Sequence, residues 1–221
     1  RYDLSTGDKG RIPDSAFYNK WYGKNKLYST FVISNAIGQG EVLTTPVQLA
    51  NMTAAIANRG FYYKPHFIKN IKDKKIPEKF TSRINTTISK EHFEPVIQGM
   101  FDVYEQRGGT GYMSRVKGIE ICGKTGTAEV YTKINGERTQ LTDHSIFVAF
   151  APKDNPKIAL AVFVEHGYWG GRWAAPIASL MIEKYLKGTI SRTDLEERML
   201  TKGLQEEYDK YISGEPFEIN K

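Results

Sequence analysis

The sequence predicts an α/β (α+β) fold in which an antiparallel sheet is flanked by helices. Three observations support this prediction. An apolar segment with helix-capping signals spans residues 45–60. Three strand-like segments then lie between residues 119 and 165, and their connections are short enough to require an antiparallel meander. A last apolar helix pattern begins near Pro176 and ends at Gly188.

Composition bounds the class of protein. The 221 residues are 40% apolar and 12% aromatic, which is enough for a sizeable core and argues against disorder. The formal charge of +6 is spread along the chain, and Asp73 and Glu78 interrupt its densest basic run, so a solvated surface is favoured over a nucleic-acid patch. The single cysteine, Cys122, excludes an internal disulfide framework. No stretch reaches the roughly 20 apolar residues of a membrane span.

The first strong element is a helix that Thr44 or Thr45 can cap. Pro46 suits its first turn and Gly60 can end it. Because apolar residues lie nearly all round this helix, we expect it to be buried. These residues are Val47, Leu49, Ala50, Met52, Ala54, Ala55, Ile56 and Ala57.

A second helix is predicted from Ser89 to about Gln106, after a segment that suits one short strand and a basic loop. One apolar face repeats at helical spacing and should contact a core. That face comprises Phe93, Ile97, Met100, Phe101 and Tyr104. The glycine-rich residues 107–111 stop the helix.

The three strands are predicted at residues 119–132, 144–151 and 157–165. Asn135-Gly136 is a strong tight-turn dipeptide between the first two. Alternation places three residues on one sheet face, namely Phe147, Ala149 and Ala151.

The final helix follows a glycine-rich turn at residues 167–172. Its expected core residues are Ile177, Leu180, Met181 and Tyr185. Beyond Gly188, residues 189–221 are mostly charged. Their scattered apolar residues, Leu195, Met199 and Leu204, would suit a weak amphipathic helix.

The most informative segment lies around Lys124, and it matches two motifs. Gly118, four residues and then Gly123-Lys124-Thr125 fit the phosphate-binding loop pattern of a nucleotide-binding module. That loop requires flexible residues between its glycines and a helix after the Lys-Thr pair. Here residues 119–122 favour a strand and residues 126–132 make a poor helix, so this hypothesis is the weaker one.

The second match is Lys124-Thr125-Gly126-Thr127, the third signature of the penicillin-recognising serine enzymes. In such a strand, the lysine and the Thr125 hydroxyl would anchor a ligand carboxylate while the ligand pairs along the backbone. Gly126 would let the ligand approach without an intervening side chain. The backbone amide of Thr127 would donate to the developing oxyanion.

Further blocks agree with the second match in order and spacing. They are Ile37-Gly38-Gln39-Gly40 with the helix that follows, residues 123–128 and residues 143–152. Together they resemble class B penicillin-binding proteins, and most closely the penicillin-binding protein 2 branch. The resemblance covers residues 1–188, which we expect to be the C-terminal part of a transpeptidase domain. Residues 189–221 would be a charged tail.

The resemblance implies a peptidoglycan D,D-transpeptidase that shapes the cell wall and is a β-lactam target. Its partners would be the peptidoglycan stem peptide, β-lactams and a membrane glycosyltransferase. Neither a cofactor, a metal nor nucleic acid is implied. The parent protein would lie at the periplasmic face of the bacterial inner membrane, anchored by a helix that is not in this chain. A β-lactamase or a penicillin sensor is the alternative within the same superfamily.

The family also uses a Ser-x-x-Lys nucleophile and a Ser-x-Asn loop, both upstream of the Gly38-Gln39-Gly40 block. The only Ser-x-x-Lys string here runs from Ser114 to Lys117, in the wrong order, and we interpret it as chance. The chain is therefore expected to be a fragment that holds one wall of the active site, lacks the nucleophile and is inactive alone.

Some remaining residues invite a functional interpretation, but a structural one is preferred. His144 is expected to make a structural hydrogen bond, and Cys122 to be a small buried side chain rather than a nucleophile. Trp169 and Trp173 would either line the mouth of the cleft or cover the final helix.

Overall fold

The computed structural model describes residues 7–69, 72 and 75–205. Its helices are α1 (Ser15–Tyr22), α2 (Ser29–Ala36), α3 (Pro46–Ala57), α4 (Glu78–Thr81), α5 (Phe93–Glu105), α6 (Ala174–Lys187) and α7 (Thr193–Thr201). Short 3-10 turns occur at Lys90–His92 and Tyr112–Ser114. The strands are β1 (Phe61–Tyr62), β2 (Ile84–Asn85), β3 (Cys122–Ile134), β4 (Glu137–Ala151) and β5 (Ile158–Val164). Within these described ranges, we find no helix with the length and apolarity needed to span a membrane.

The main sheet has the order β3-β4-β5 and is antiparallel throughout, which confirms the predicted meander. The two long strands reach further than expected, because they continue to the turn at Asn135-Gly136. Both turn residues have positive φ, 53° and 87°, as a tight two-residue hairpin requires. Beyond Ser145, the last β4 residue that pairs with β5, the two strands form a ribbon of their own.

A bulge separates this ribbon from the rest of the sheet. Ala128 pairs with His144, whereas Val130 pairs with Leu141, so β4 carries one more residue than β3 between these pairs. Two carbonyls of the bulge accept hydrogen bonds from the segment that follows β5. The His166 ring donates to Thr142 at 2.8 Å and the Tyr168 amide donates to Asp143 at 2.9 Å. The bulge thus fixes the start of the glycine-rich turn.

Each face of the sheet is covered by helix. Phe147, Ala149 and Ala151 are fully buried in one cluster with α6, as the alternation predicted. On the opposite face, Cys122 and Phe150 form a second cluster with residues of α3 and α5. The strand that carries the motif is therefore held between two apolar layers.

The first and second apolar helices are confirmed, with one difference in burial. Thr45 caps α3 through a capping box, in which its hydroxyl accepts from the Gln48 amide and the Gln48 side chain accepts from the Thr45 amide. Only Thr53 and Ala57 of α3 are buried, so the helix is half-buried rather than buried. It packs on β4 and β5 along one side. In α5, the buried residues are Phe93, Ile97, Met100 and Tyr104.

Two of the four core residues expected in the last apolar helix are confirmed, because Leu180 is buried and Ile177 packs against the core, whereas the other two are exposed. Helix α6 begins at Ala174, and its closest packing on the sheet is made by Ala174, Ala175 and Ala178. Met181 and Tyr185 are 49% and 62% exposed. Small side chains allow the helix backbone to approach the sheet closely, so alanines occupy core positions that the pattern of larger apolar residues did not predict.

Candidate active site

The Lys-Thr-Gly motif lies on β3, which pairs with β4 along one side. No other described strand pairs with β3, so its second edge is open within residues 7–69, 72 and 75–205. An open edge presents backbone N–H and C=O groups to which an extended ligand can pair. The phosphate-loop hypothesis is wrong, because Lys124 and Thr125 are followed by strand and not by a helix.

The four motif residues divide between the two faces of β3. In the pairing with β4, Lys124 lies across from Val148 and Gly126 from Ile146. Thr125 lies across from Phe147, and Thr127 from Ser145. The Lys124 ammonium donates to the Thr125 carbonyl at 2.8 Å. Lys124 and Thr127 are exposed and the two residues between them are partly buried. Four consecutive residues of β3 thus present one ammonium group, two hydroxyl groups and their backbone amides.

Thr110 is a site residue that sequence reasoning missed. Its hydroxyl oxygen lies 2.9 Å from the hydroxyl oxygen of Thr125, within hydrogen-bonding distance. It belongs to the glycine-rich segment after α5, for which the sequence predicted only the end of a helix. This hydrogen bond restricts the rotation of the Thr125 hydroxyl.

The glycine-rich turn after β5 packs directly against the motif. A Cβ atom at Gly170 would lie 2.9 Å from the Gly126 carbonyl oxygen and 2.6 Å from the Ile146 carbonyl oxygen. A Cβ atom at Gly171 would lie 2.8 Å from the Thr110 carbonyl oxygen. Glycine is required here because backbone approaches backbone. The turn therefore braces the motif strand and the Thr110 segment together.

Ser145 on β4 holds this turn through hydrogen bonds of its side chain. Its buried hydroxyl donates to the Trp169 carbonyl at 3.0 Å and accepts from the Ala174 amide at 3.2 Å. The hydroxyl thereby satisfies backbone groups at the turn and at the start of α6. The two tryptophans have different positions: Trp169 is 40% exposed and stacks on Tyr168, whereas Trp173 is 7% exposed within the core.

The other two candidate residues are structural in their contacts. His144 accepts a hydrogen bond at Nδ1 from the His166 amide at 3.0 Å, so its other ring nitrogen carries the proton in the neutral form. Burial and, secondarily, the neighbouring His166 lower the pKa of His144. Cys122 is fully buried, and burial raises the pKa of its thiol to about 12, which makes it a poor nucleophile.

Comparisons with known proteins agree on one family. The profile described as "Penicillin binding protein transpeptidase domain" matches residues 3–183. Among curated proteins, peptidoglycan D,D-transpeptidase MrdA of Acinetobacter baumannii is 34% identical over 194 residues, which is 83% of this chain and 28% of that protein. Peptidoglycan D,D-transpeptidase PbpA of Mycobacterium tuberculosis is 32% identical over 195 residues, which is 81% of this chain and 34% of that protein. The chain thus spans about a third of the length of these relatives.

Solved structures give the same result. PBP2 of Pseudomonas aeruginosa in complex with WCK 5153 superposes with a TM-score of 0.71 at 30% identity, covering 86% of this chain and 42% of that one. PBP2 of Helicobacter pylori in its complex with MreC superposes with a TM-score of 0.67 at 28% identity, covering 85% and 33%. The family match over residues 3–183 includes the strands and the turn that build the candidate site.

Proposed function

This chain belongs to the family of penicillin-binding protein transpeptidase domains, and on that premise we propose that it supplies one wall of the active site of a peptidoglycan D,D-transpeptidase. Residues 1–188 would be the C-terminal part of the domain, of the penicillin-binding protein 2 type, and residues 189–221 an extension beyond it. The observation that carries the proposal is the position of Lys124-Thr125-Gly126-Thr127 on the open edge of β3.

The proposed ligand is an extended stem peptide, or the β-lactam that resembles its end. It would add to β3 as a further strand, with its carboxylate at the Lys124 ammonium and the Thr125 hydroxyl. A Cβ atom at Gly126 would meet only Ile146, at 3.4 Å, so packing within the described chain does not demand glycine there. We assign that glycine to clearance for the ligand. The Thr127 amide would stabilise the oxyanion.

The nucleophile would come from a Ser-x-x-Lys motif that these 221 residues do not contain in the expected order. Ser114, in the only such string, is 3% exposed and its carbonyl is bound by Arg192, so it is unsuited to attack a substrate. In the proposed reaction a serine oxygen attacks the penultimate D-alanine carbonyl. The peptide bond breaks, D-alanine leaves with the proton, and an acceptor amine then displaces the serine to form the cross-link.

We also propose a cellular setting for the parent protein, which its similarity to the relatives named above supports. We place it at the periplasmic face of the inner membrane, with a membrane glycosyltransferase as partner. The complex of Helicobacter pylori PBP2 with MreC makes an MreC-like protein a further candidate partner. A β-lactamase or penicillin sensor is not favoured, because the curated relatives are named as transpeptidases.

The test uses the full-length protein that carries this chain and a fluorescent penicillin. We expect covalent labelling of the full-length protein and none of residues 1–221 alone. Lys124→Ala should reduce labelling at least about tenfold, the effect of removing ~1.4 kcal/mol of binding. Lys133→Ala is the matched control, because this exposed lysine lies on the same strand but on the ribbon beyond the bulge. Absence of labelling in the full-length protein, or equal effects of the two substitutions, would overturn the proposal.

A further inference from the structure

A buried ion pair lies behind the candidate site. The Glu183 side chain on α6 is fully buried, and its Oε2 accepts from the Arg192 Nε at 2.9 Å. Its Oε1 accepts from the amide and the hydroxyl of Ser191, at 3.2 and 2.6 Å. Burial raises the pKa of Glu183, but the hydrogen bonds from Ser191 and Arg192 outweigh it and the pKa is lowered overall. The carboxylate is therefore charged and fixed in place.

The other side of the Arg192 guanidinium reaches the segment that precedes the motif strand. Its Nη1 donates to the Ser114 carbonyl at 3.0 Å and to the Ser179 hydroxyl at 3.1 Å. Nearby, the Lys187 ammonium donates to the Lys117 carbonyl at 2.8 Å. A planar guanidinium can bind a carboxylate along one side and further acceptors along the other, which a lysine ammonium cannot do. Arg192 thus joins α6 to the connection between α5 and β3.

That connection carries Thr110. The Ser114 amide donates to the Gly111 carbonyl at 2.9 Å, and the Gly111 amide donates to the Val103 carbonyl on α5 at 3.0 Å. Thr110, next to Gly111, then meets the Thr125 hydroxyl at 2.9 Å. A continuous set of hydrogen-bonded neighbours therefore runs from Arg192 to the motif strand.

We propose that Arg192 is a positioning residue for the substrate-binding strand. It holds the Thr110 segment, and through it the Thr125 hydroxyl, in the orientation that receives the ligand carboxylate. Residues 191 and 192 lie beyond residue 183, where the family match ends, so the family match does not supply this role. The inference rests on the proposed function for its catalytic consequence, but not for the mechanical link itself.

A merely stabilising ion pair is the competing explanation, and Arg59 serves as a control for it, although its partner Glu94 is 52% exposed whereas Glu183 is fully buried. Arg59 pairs with Glu94 at 2.6 Å, and the two arginine side chains are similarly accessible, 17% for Arg59 and 22% for Arg192. Arg59 also donates to a backbone carbonyl, that of Ala57. Its hydrogen bonds within the described part of the chain go to Glu94 and Ala57 and not to the Thr110 segment.

The experiment compares Arg192→Met, Arg192→Lys and Arg59→Met in the full-length protein. The second-order rate constant for acylation by a fluorescent penicillin should fall about tenfold for both Arg192 variants. A loss of this size is within the range that small misplacements of binding groups produce. Arg59→Met should stay within about twofold even where its melting temperature falls equally. Equal effects of Arg192→Met and Arg59→Met on acylation would overturn the proposal.

Two further measurements separate this proposal from the proposed function. Amide hydrogen exchange should accelerate at Gly111 and Ser114 in Arg192→Met but not at Leu160 in β5, whether or not the protein acylates. Unchanged exchange at these two amides would overturn the mechanical link. In a double-mutant cycle, Arg192→Met and Thr110→Val should be non-additive, because one acts through the other. Additive losses would contradict the proposal. If the wild-type protein is not labelled but amide exchange accelerates in Arg192→Met, only the proposed function is contradicted.

Discussion

The ring of Phe147 occupies the space into which a side chain at Gly123 would project. A Cβ atom at Gly123 would lie 2.5 Å from Cζ of Phe147 and 3.0 Å from Cε2 of Tyr104. Both rings are fully buried and meet edge to face, so neither can move aside easily. The two glycines of the motif strand therefore differ: packing excludes a side chain at Gly123, whereas a methyl group at Gly126 would make only an ordinary contact with Ile146.

Gly123→Ala should destabilise the domain. Overpacking beside Phe147 is expected to cost about 1–3 kcal/mol of the free energy of unfolding. Denaturant unfolding of the full-length protein, followed by a signal from the transpeptidase domain, measures this. Joint replacement of Gly123 by Ala and Phe147 by Leu should recover part of the loss, since the smaller side chain makes room. An unchanged unfolding midpoint in the single variant would contradict the packing argument.

Gly126→Ala should have the opposite profile. The new methyl group would meet only Ile146 at an ordinary contact distance, so the unfolding free energy should change by no more than about 0.5 kcal/mol. Labelling by a fluorescent penicillin should nevertheless fall at least about tenfold, because the methyl group would stand where the ligand backbone approaches. Normal labelling would remove Gly126 from the proposed site.

Thr110→Val should weaken acylation without unfolding the protein. Valine keeps the shape of threonine but leaves the Thr125 hydroxyl without its partner at 2.9 Å. We expect a loss of about 0.5–1.5 kcal/mol in acylation efficiency, which is the worth of one hydrogen bond. Thr110→Ser, which restores the hydroxyl, is the matched control and should recover most of the rate. Equal rates for the valine and serine variants would show that the hydroxyl has no role.

The pH dependence of stability should contain a contribution from His144. Its pKa in the folded protein is lowered from 6.5, mainly by burial, so in the interval below 6.5 the unfolded chain binds a proton that the folded chain does not. Stability therefore falls as the pH drops from 6.5 toward the folded pKa, and it is unaffected by this group well above 6.5. His144→Asn should flatten the curve in that interval when melting temperatures are measured across pH. Parallel curves for the two proteins would refute the assignment.

The sequence was informative wherever a local signal decides the structure. Thr45 and Gln48 form the cap expected before Pro46, and Asn135-Gly136 forms the expected turn, because both depend on residues that are close in the chain. The meander followed from short connections for the same reason.

What the sequence did not reveal depends on contacts between distant segments. The hydrogen bond between Thr110 and Thr125 joins a loop to strand β3, and only the packed fold brings these two segments together. A threonine among glycines carries no signal of it. In α6, Leu180 is buried as expected, but Tyr185 is exposed and Ala178, which was not expected in the core, is fully buried. Periodicity shows that a helix has an apolar side and does not show which side fits the surface opposite it.

The ribbon formed by β3 and β4 beyond the bulge has a practical use. Its tip at Asn135-Gly136 begins nine residues along the strand from Gly126, about 30 Å at the usual rise of ~3.3 Å per residue. Among the residues that the structure describes, the two strands of the ribbon pair only with each other, and the bulge at Thr142 and Asp143 separates their register from that of the motif. A fluorophore or an affinity tag inserted at the tip should therefore report on the full-length protein in living cells while leaving the binding strand undisturbed.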